Sequence, residues 1–454
     1  MTLSIVILAA GMGTRMYSTL PKVLHPLAGK PLLQHVIETA KMFSDDVMVI
    51  YGYGGEAVKE ALASFTVRWI FQKEQLGTAH AVSQALPFLN QEGRTLVLLG
   101  DAPLISSETL KNLLDRVPQT SFGWLTAELD NPTGLGRIIR DDDRNPIAIV
   151  EEKEATQKQK EIKEISTGVC LIPNRYLHEF LPQIKNNNNQ KEYYLPTIFS
   201  MAVEKGIHIV TVSTHDHMEA QGINNKVELA QLERAYQLKQ AEKLMRAGLT
   251  LLDPHRFDLR GQLNFGQDNV FDVNVVLEGE VKLGSRCYIG PNCLLKNVKL
   301  ADDVRIEANS ILEEAVIERH CVIGPFARLR PGTVLKAHAK VGNFVEVKKS
   351  TIGQHSKVNH LSYIGDATLG ERVNVGAGTI TCNYDGVNKY QTIIGDEAFI
   401  GSNTSLIAPI EIGARATVGA GSTVSKVAPA EELTLARAKQ TIIKDWKRPV
   451  RGSS

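Results

Sequence analysis

The sequence IGDEAFIGSNTSLIAPIEIGARATVGAGSTV, residues 394–424, carries isoleucine, leucine or valine at every sixth position. A second ladder with the same period runs from Ile323 to Val347. A period of six fits neither an amphipathic helix (about 3.6) nor a half-buried strand (about 2), and it is typical of a parallel β-helix built from hexapeptides. Each hexad then supplies one short strand and one corner, and its aliphatic side chain points into the column.

Three hexads close one coil, so residues 18 apart, such as Ile323 and Val341, are expected to stack in register. Glycine often follows the aliphatic residue, and we expect it at the corners because it tolerates unusual backbone conformations. The largest break falls between Val375 and Ile394, whose separation of 19 is one more than a full coil. We interpret residues 381–389 as an excursion from the wall, and loops that leave a rigid repeat often carry function.

The composition argues against several classes of protein. The chain has 454 residues, of which 43% are hydrophobic, enough for two or three domains. Its net charge of +1 gives no sign of a nucleic-acid partner or a polybasic membrane anchor. The five cysteines form no CxxC pair, so we expect free thiols in a reducing compartment. The apolar run Ile5–Ala10 is too short for a signal peptide or membrane span, and we expect a cytoplasmic protein.

The first half of the chain alternates between two kinds of segment. Strand-like runs such as Ser4–Ala9 and Val47–Tyr51 are separated by helical runs such as Leu32–Met42 and Ser107–Asp115. This alternation predicts a mostly parallel, Rossmann-like α/β sheet with helices on both faces, and ligands in such folds lie at the carboxyl ends of the strands.

A long amphipathic stretch after the α/β half predicts a helix that joins the two halves. We therefore predict three parts: an N-terminal α/β domain of residues 1–225, a helical linker of residues 226–248, and a β-helix domain with a C-terminal tail, residues 249–454.

A glycine-containing turn follows the first strand. Residues 8–15 read LAAGMGTR, and LPKVL follows at 20–24. Small residues let backbone N–H groups approach an anion, and Arg15 and Lys22 supply cations for a polyphosphate. No Gly-Lys-Ser/Thr follows and the third glycine of a dinucleotide fingerprint is missing, so the turn is neither a Walker A loop nor that fingerprint. We interpret it as a nucleotide-binding cradle.

Motifs from both halves point to one family. Residues 8–31 resemble the signature of sugar-1-phosphate nucleotidylyltransferases, and QLGTAH at 75–80, LGDAPL at 99–104 and GINN at 222–225 follow in order. The second half adds NHLSYIGD at 359–366 and NYDG at 383–386. Together they resemble, over nearly the whole chain, the bacterial bifunctional N-acetylglucosamine-1-phosphate uridylyltransferases / glucosamine-1-phosphate N-acetyltransferases.

The resemblance implies a fold and two reactions. The β-helix would be left-handed and would transfer acetyl from acetyl-CoA to the amine of glucosamine-1-phosphate. The α/β domain would then transfer uridylyl from UTP to N-acetylglucosamine-1-phosphate and release pyrophosphate. The family expectation is also a homotrimer whose acetyltransferase pockets lie between subunits.

The resemblance assigns residues to the uridylyltransferase site. Asp101 and Asn224 would hold Mg²⁺, which prefers few carboxylates together with phosphate oxygens. Arg15 and Lys22 are the expected catalytic cations. Ser166 stands where the family usually has an asparagine that contacts the sugar, and Leu135 replaces an aromatic residue. The other residues expected to bind nucleotide or sugar are Leu8, Ala9, Ala10, Gly11, Gln72, Gly77, Thr78, Leu99, Gly100, Gly136 and Glu151.

The acetyltransferase site needs a base, because the amine must lose its proton before it attacks the thioester. Histidine suits that task near neutral pH, and the resemblance makes His360 the expected base. The residues expected to hold glucosamine-1-phosphate are Arg330, Lys348, Tyr363 and Asn374. Those expected to contact acetyl-CoA are Ala377, Asn383, Tyr384, Lys389, Ser402, Ala420 and Arg437.

Two other interpretations stay open at the level of sequence. The first is a monofunctional sugar-1-phosphate nucleotidylyltransferase whose β-helix is only an oligomerisation or regulatory scaffold. His360, the NYDG segment and Arg437 argue against it, because a scaffold would not need them together. The second is a non-catalytic nucleotide-sugar binding or assembly protein, which would not need Arg15, Lys22 and Asp101.

Overall fold

The computed structural model describes residues 2–214 and 216–449, which divide into two compact units between Tyr236 and Gln237. This division falls within the long helix Lys226–Arg246. All five cysteines are free thiols, as predicted. Among the described residues, no helix combines the length and the apolar composition needed to cross a bilayer.

The first unit is built on a sheet whose strands run mostly parallel, which confirms the prediction. The exception is Glu164–Pro173, which is antiparallel to both of its neighbours and also pairs with the antiparallel ribbon Arg137–Arg140 and Pro146–Val150. A separate short pair is formed by Pro26–Leu27 and Lys30–Pro31. The strand order of the main sheet is Ile209–Thr214, Phe122–Glu128, Glu164–Pro173, Arg94–Leu99, Leu3–Ala9, Val47–Tyr51 and Arg68–Phe71.

Helices cover both faces of this sheet. Successive side chains of a strand point to opposite faces, so Ile5 and Ile7 join one hydrophobic core and Val6 joins the other. Burial on both faces explains why Leu3–Ala9 is almost wholly apolar. The α-helices are Leu32–Lys41, Gly55–Ala61, Thr78–Ser83, Ser107–Arg116, Gln157–Lys160, Asn174–Phe180 and Thr197–Glu204; the 3-10 turns are Thr14–Met16, Lys22–Leu24, Leu86–Phe88, Leu181–Gln183 and His217–Ala220.

The second unit is a column of short parallel strands. One face forms an 11-stranded sheet with a single strand per coil, and the other two faces together form a 17-stranded sheet. The 11-stranded face contains Thr250–Leu251, Val270–Phe271, Tyr288–Ile289, Arg305–Ile306, Val322–Ile323, Lys340–Asn343, Lys357–His360, Asn374–Val375, Phe399–Ile400, Thr417–Val418 and Leu433–Thr434.

The remaining strands alternate between the other two faces. They are Phe257–Phe265, Val275–Leu283, Leu294–Lys296, Lys299–Leu300, Ile311–Glu313, Val316–Ile317, Arg328–Leu329, Val334–Leu335, Glu346–Lys348, Thr351–Ile352, Tyr363–Gly365, Ala367–Leu369, Ile380–Cys382, Thr392–Ile394, Ser405–Ile407, Ile410–Ile412 and Thr423–Val424, preceded by the 3-10 turn Pro254–Arg256. Ile323 pairs with Val341, as predicted from their spacing. The aliphatic ladder residues are buried and form one continuous core. The predicted parallel β-helix is therefore confirmed.

Contrary to the prediction, the glycines that follow the ladder residues do not all lie at corners of the column. Gly324 lies at a left-handed corner with φ 95°, but most such corners hold other residues, for example Asn292 at φ 59° and His338 at φ 62°. At Gly342 a Cβ atom would lie 2.1 Å from the carbonyl oxygen of Asn359 in the next coil. The expectation of corner glycines is thus wrong for Gly342, which is needed because successive coils approach closely.

Gly342→Ala is expected to lower the free energy of unfolding by about 1–3 kcal/mol, because the added methyl group meets backbone that has no room to move. Urea unfolding followed by circular dichroism measures the change. Arg328→Ala, at an exposed position on the same column, is the control and should stay within about 0.5 kcal/mol of the parent. Equal urea midpoints for Gly342→Ala and Arg328→Ala would show that the coils can move apart to accept the methyl group without loss of stability.

The predicted excursion is present, but it is longer than the spacing suggested. Val375 pairs with Ile400 and Leu369 with Ile394, so this coil contains 25 residues. Ile394 is therefore not the equivalent of Val375, because the two lie on different faces. The loop closes on itself through an isolated bridge between Tyr384 and Lys389.

Candidate active sites

The cations of the N-terminal motif converge on two oxygen-bearing side chains. The Lys22 ammonium contacts the Asp101 carboxylate and lies 3.0 Å from Oδ1 of Asn224. Arg15 donates from Nη2 to the same amide oxygen at 2.9 Å. The backbone N–H of Ile223 donates to the Asp101 carbonyl at 2.9 Å and so fixes the Asn224 segment beside Asp101. The structure thus brings together four of the predicted residues, although they are far apart in sequence.

This cluster fits the expected magnesium ion. One carboxylate oxygen and one amide oxygen point at a common cationic centre, which the Lys22 ammonium occupies. Mg²⁺ takes few protein carboxylates when phosphate oxygens complete its octahedron, and Asp101 with Asn224 would supply such a set. Within the described residues, no group of three or more His, Cys, Asp or Glu side chains could hold a metal.

The backbone around the first turn leaves space for a ligand. The N–H of Gly100 donates to the carbonyl of Leu8 at 2.9 Å, which ties the ends of two neighbouring parallel strands together. A Cβ on Gly11 would meet nothing within 4 Å. Leu8, Ala9, Ala10, Leu99 and Gly100 accordingly line the carboxyl edge of the sheet, where this fold class binds ligands.

Gln72, Gly77 and Thr78 form a second part of the same edge. Gln72 is 2% exposed and its Nε2 lies 2.9 Å from Nδ1 of His80. Thr78 accepts a hydrogen bond at 2.9 Å from the N–H of Leu195. Gly77 has φ 110° and passes so close to Tyr193 that a Cβ would lie 2.6 Å from that residue's carbonyl oxygen. These contacts with His80, Tyr193 and Leu195 hold Gln72, Gly77 and Thr78 in place. No pattern in the sequence predicted the three contacts.

The predicted sugar residues lie together on the other half of the sheet. The N–H of Ser166 donates to the carbonyl of Gly136 at 2.9 Å, and the Glu151 carboxylate lies 3.4 Å from the position of a Cβ on Gly136. Burial raises the pKa of Glu151 above its usual value, and Arg137 opposes this shift. Leu135 packs with its neighbours in a small cluster at the same edge.

The departure at Ser166 is matched by a tryptophan that the sequence did not single out. Trp124 is fully buried, and its indole N–H donates to the Ser166 hydroxyl oxygen at 2.7 Å. The N–H of Gly168 donates to the same oxygen at 3.3 Å. A hydroxyl oxygen can accept two hydrogen bonds, and both positions of the Ser166 oxygen are occupied by these donors. Ser166 can therefore offer a ligand only its own O–H, as a donor.

In the second unit, His360 is part of a backbone hydrogen-bond ladder along one corner of the column, and in the preceding coil the N–H of Leu361 donates to the carbonyl of Asn343 at 3.0 Å. The His360 carbonyl and the carbonyls at the equivalent positions of the following coils each accept from the next coil, and Arg437 ends the series. The bonds are Gly378 N to His360 O at 3.3 Å, Asn403 N to Ala377 O at 2.7 Å, Gly421 N to Ser402 O at 2.8 Å and Arg437 Nη1 to Ala420 O at 2.8 Å. The predicted base therefore lies in line with four of the predicted acetyl-CoA residues.

The backbone of His360 is fixed while its imidazole is exposed. The hydroxyl of Ser362 donates to the His360 carbonyl at 2.8 Å, in addition to the bond from the next coil. Within the described residues, no hydrogen bond or ion pair engages the imidazole itself. A substrate amine that reaches the corner would thus find the ring nitrogens accessible.

Cations cluster on the face that follows this corner. Arg330 donates to Glu346 at 2.8 Å, and Glu346 pairs in register with Tyr363. Lys348 lies beside Lys389 of the excursion, and this neighbouring ammonium lowers the pKa of Lys348. Two ammonium groups that repel each other favour an anionic ligand, because its charge relieves the repulsion.

The other predicted residues lie in two places: Asn383 and Tyr384 are in the excursion, and Asn374 is on the 11-stranded face. Asn383 is 7% exposed and donates to the Asp366 carboxylate at 2.5 Å, while the exposed Tyr384 donates its hydroxyl to Gly386 within the excursion. Asn374 lies on the 11-stranded face between Lys357 and Phe399 and not among the cations of the next face.

Comparison with known proteins agrees with this division. Family models match three segments: the MobA-like NTP transferase domain at residues 5–148, the GMPPB C-terminal domain at 261–361, and the hexapeptide repeat of succinyl-transferase at 391–426. The hexapeptide match and the parallel strands are those of a left-handed β-helix. The UDP-glucose pyrophosphorylase complexed with UDP-glucose aligns with 53% of this chain and 100% of its own at 17% identity, and its TM-score of 0.41 is too low to identify a fold.

Relatives cover both units. The protein named "Bifunctional protein GlmU" of Marinobacter nauticus is 50% identical over 98% of this chain and 99% of its own length. Those of the same name from Nitrosospira multiformis and Pseudoalteromonas atlantica are 52% and 51% identical, over 99% of this chain in each case and 98% and 100% of their own lengths. Identity at this level along the whole of both chains means that this chain belongs to the family of bifunctional GlmU proteins.

Proposed function

We propose that this chain is a bifunctional enzyme of UDP-N-acetylglucosamine synthesis. It transfers acetyl from acetyl-CoA to the amine of glucosamine-1-phosphate and then uridylyl from UTP to N-acetylglucosamine-1-phosphate. The observation that carries the proposal is the presence of two independently built clusters, Lys22 with Asp101 and Asn224 in the first unit and the His360 corner with Arg330 and Lys348 in the second. A scaffold role for the β-helix is not favoured, because nothing in a scaffold needs the second cluster.

In uridylyl transfer, a phosphate oxygen of N-acetylglucosamine-1-phosphate attacks the α-phosphorus of UTP, and the bond to pyrophosphate breaks. Charge on several oxygens must be neutralised at once, and Arg15 and Lys22 are the proposed cations. Mg²⁺ held by Asp101 and Asn224 would neutralise phosphate charge and orient the leaving group. Gln72, Gly77 and Thr78, with the backbone of residues 8–11, are proposed to recognise uracil.

In acetyl transfer, we assign His360 the role of base. It takes a proton from the ammonium of glucosamine-1-phosphate, and the resulting amine attacks the thioester carbon. The C–S bond then breaks, and the nitrogen gives up a second proton to the departing coenzyme A thiolate, which leaves a neutral amide and a thiol. Arg330 and Lys348 are proposed to hold the phosphate of glucosamine-1-phosphate, and Tyr363 and Asn374 are proposed to contact the same substrate. Ala377, Asn383, Tyr384, Lys389, Ser402, Ala420 and Arg437 are the proposed acetyl-CoA contacts.

We also propose a homotrimer that works in the cytoplasm. Three exposed apolar residues stack at successive coils of one corner and support self-association: Phe326, Phe344 and Leu361 are 48%, 58% and 65% exposed. Free thiols support a reducing compartment. The proposed functional parts are residues 1–225 for uridylyl transfer, 226–248 as linker and 249–454 for acetyl transfer.

The proposal is tested by product identification. The purified chain is supplied with glucosamine-1-phosphate, acetyl-CoA, UTP and Mg²⁺, and products are identified by mass. The expected products are coenzyme A, pyrophosphate and UDP-N-acetylglucosamine, and omission of acetyl-CoA should prevent formation of the UDP-sugar. Pyrophosphate release without any coenzyme A release would favour the monofunctional alternative.

Trp124→Phe is expected to raise the KM for N-acetylglucosamine-1-phosphate about fivefold, as loss of one hydrogen bond of about 1 kcal/mol implies. The indole N–H occupies an acceptor position of the Ser166 oxygen and so leaves the Ser166 O–H to donate to the acetamido carbonyl of the sugar. Without the indole N–H, Ser166 can also act as an acceptor, and its O–H is no longer directed at that carbonyl. The KM for UTP should not change. Trp69→Phe, on a different strand of the same sheet, is the matched control. An unchanged sugar KM in a folded Trp124→Phe protein would remove Ser166 from the sugar site.

A further inference from the structure

A groove on the 11-stranded face, away from the His360 corner, is lined by basic side chains. We call it the histidine groove, and its basic residues are His320, His338, Lys340, His355, Lys357 and Arg372. The three imidazoles stack along the column with ring centroids 4.7 and 4.6 Å apart and planes within 19° of parallel. Each histidine lies at a left-handed corner, with φ between 59° and 62°. The stack therefore presents ring edges to the groove at the same place in three consecutive coils.

The stack does not suit a metal ion. Zinc–nitrogen distances are about 2.0–2.1 Å, so the nitrogens of two imidazoles that bind one zinc ion are at most about 4 Å apart. The stacked rings of the groove are spaced more widely than this. Within the described residues, no group of three or more His, Cys, Asp or Glu is placed to hold a metal. The chemistry of the groove must therefore come from its charge.

The lysines of the groove repel each other and lack a compensating carboxylate. Lys340 and Lys357 are direct partners in adjacent parallel strands, which are about 4.8 Å apart. Within the part of the chain that the structure describes, neither forms an ion pair with a carboxylate. Lys282 and Lys299 are also partners, but Glu280 lies 2.6 Å from Lys282. Like charges opposite each other destabilise a sheet, so stability does not explain the first pair.

Among the residues that the structure describes, carboxylates pair with the groove at its two ends only. Asp303 is 3.8 Å from His320 at one end, and Glu397 is 2.6 Å from Arg372 at the other. The middle, formed by His338, His355, Lys340 and Lys357, keeps its positive charge. Its donors lie on two levels one coil apart, which allows a phosphate group to accept from both levels at once.

We propose that the histidine groove binds a phosphate-bearing anion at Lys340, Lys357, His338 and His355. None of these residues belongs to either reaction proposed above. Asn374 lines the same groove, so the anion site borders one of the residues proposed for glucosamine-1-phosphate. The shared chemistry is a phosphate group, which two kinds of ligand supply: free pyrophosphate and the phosphates of coenzyme A.

Binding should strengthen as the pH falls through the range of the imidazoles. Partial burial, His355, His320 and Arg319 lower the pKa of His338, so the free groove favours the neutral form of His338. Lys340, Lys357 and Arg372 face the stack with the same sign, while Asp303, Glu371 and Glu397 oppose it only at the ends. A bound anion favours the protonated form of His338 and raises its pKa, so proton uptake accompanies binding. We expect affinity to be about fivefold higher at pH 6 than at pH 8.

The test is a titration of the full chain with pyrophosphate, followed by NMR of histidine labelled with carbon-13 at Cε1. His338→Asn and His355→Asn assign the two signals, and asparagine tolerates these left-handed corners. Both signals should shift at pH 6 with saturable dependence on pyrophosphate. Lys340→Ala/Lys357→Ala should weaken this response at least tenfold and leave both reactions at saturating substrate unchanged. Circular dichroism confirms folding of each variant.

Lys282→Ala/Lys299→Ala is the matched control, because it removes an in-register lysine pair elsewhere on the column. An equal loss in this control, or signals of His338 and His355 that stay unmoved by pyrophosphate and by coenzyme A, would overturn the proposal. A second titration with coenzyme A distinguishes the sources. If only coenzyme A moves the signals, and Lys340→Ala/Lys357→Ala raises the KM for acetyl-CoA but not for glucosamine-1-phosphate, the groove binds the cofactor's phosphates. A response to pyrophosphate identifies a site for free phosphates.

Discussion

His360→Ala is expected to reduce acetyl transfer at least about 100-fold, the usual loss when a positioned base is removed. The imidazole is exposed at a corner whose backbone is held by Ser362 and by the next coil, so alanine should leave the column intact. Uridylyl transfer to supplied N-acetylglucosamine-1-phosphate should be unchanged, because its residues lie in the other unit.

The two activities are measured separately, as coenzyme A thiol release from acetyl-CoA and as pyrophosphate release from UTP. His255→Ala, another exposed histidine of the column unit, controls for nonspecific effects. Loss of both activities in a folded His360→Ala protein would contradict the division of the reactions between the units. Acetyl transfer at the parent rate would mean that another group takes the proton.

The period of six predicted the column because its physical cause is local: each inward position needs an aliphatic side chain. Ile323 and Val341 stack as their spacing indicates. The length of the excursion was not predictable in the same way, since a loop of unknown size hides which face the next aliphatic residue occupies. The pairings of Leu369 with Ile394 and of Val375 with Ile400 show that Ile394 belongs to the preceding face.

The candidate sites divide along a similar line. Arg15 and Lys22 were predicted from the glycine-containing turn, and Asp101 and Asn224 from the family resemblance. The convergence of these four residues needs the parallel strands to end at one edge. The contact between Trp124 and Ser166 depends instead on a register shift between Ser166 and Cys170 in the antiparallel strand, which moves Ser166 opposite Thr126. A sequence pattern does not reveal such a bulge. The histidines at 320, 338 and 355 do follow the coil repeat, and that spacing alone predicts a stack once the column is recognised.

Asp101→Ala is expected to stop pyrophosphate release while acetyl transfer continues. The loss should be at least about 100-fold, because preorganised charge at a phosphoryl-transfer site contributes factors of this size. Asp101→Asn separates charge from shape and should show nearly the same defect. Asp115→Asn, an exposed position on the helix Ser107–Arg116 of the same unit, is the control and should retain full activity.

The dependence on magnesium decides what Asp101 does. In the structure its carboxylate contacts the Lys22 ammonium, so the residue could act on the metal or only hold the lysine. If it binds Mg²⁺, the concentration of Mg²⁺ that gives half-maximal residual activity should rise about tenfold or more in Asp101→Asn, as lost coordination implies. In Lys22→Ala the same concentration should stay equal or fall, because a competing cation has been removed from Asp101 and Asn224. If Asp101 only positions Lys22, the two variants should share one defect and an unaltered magnesium dependence, and the assignment of Asp101 as a metal ligand would then be wrong.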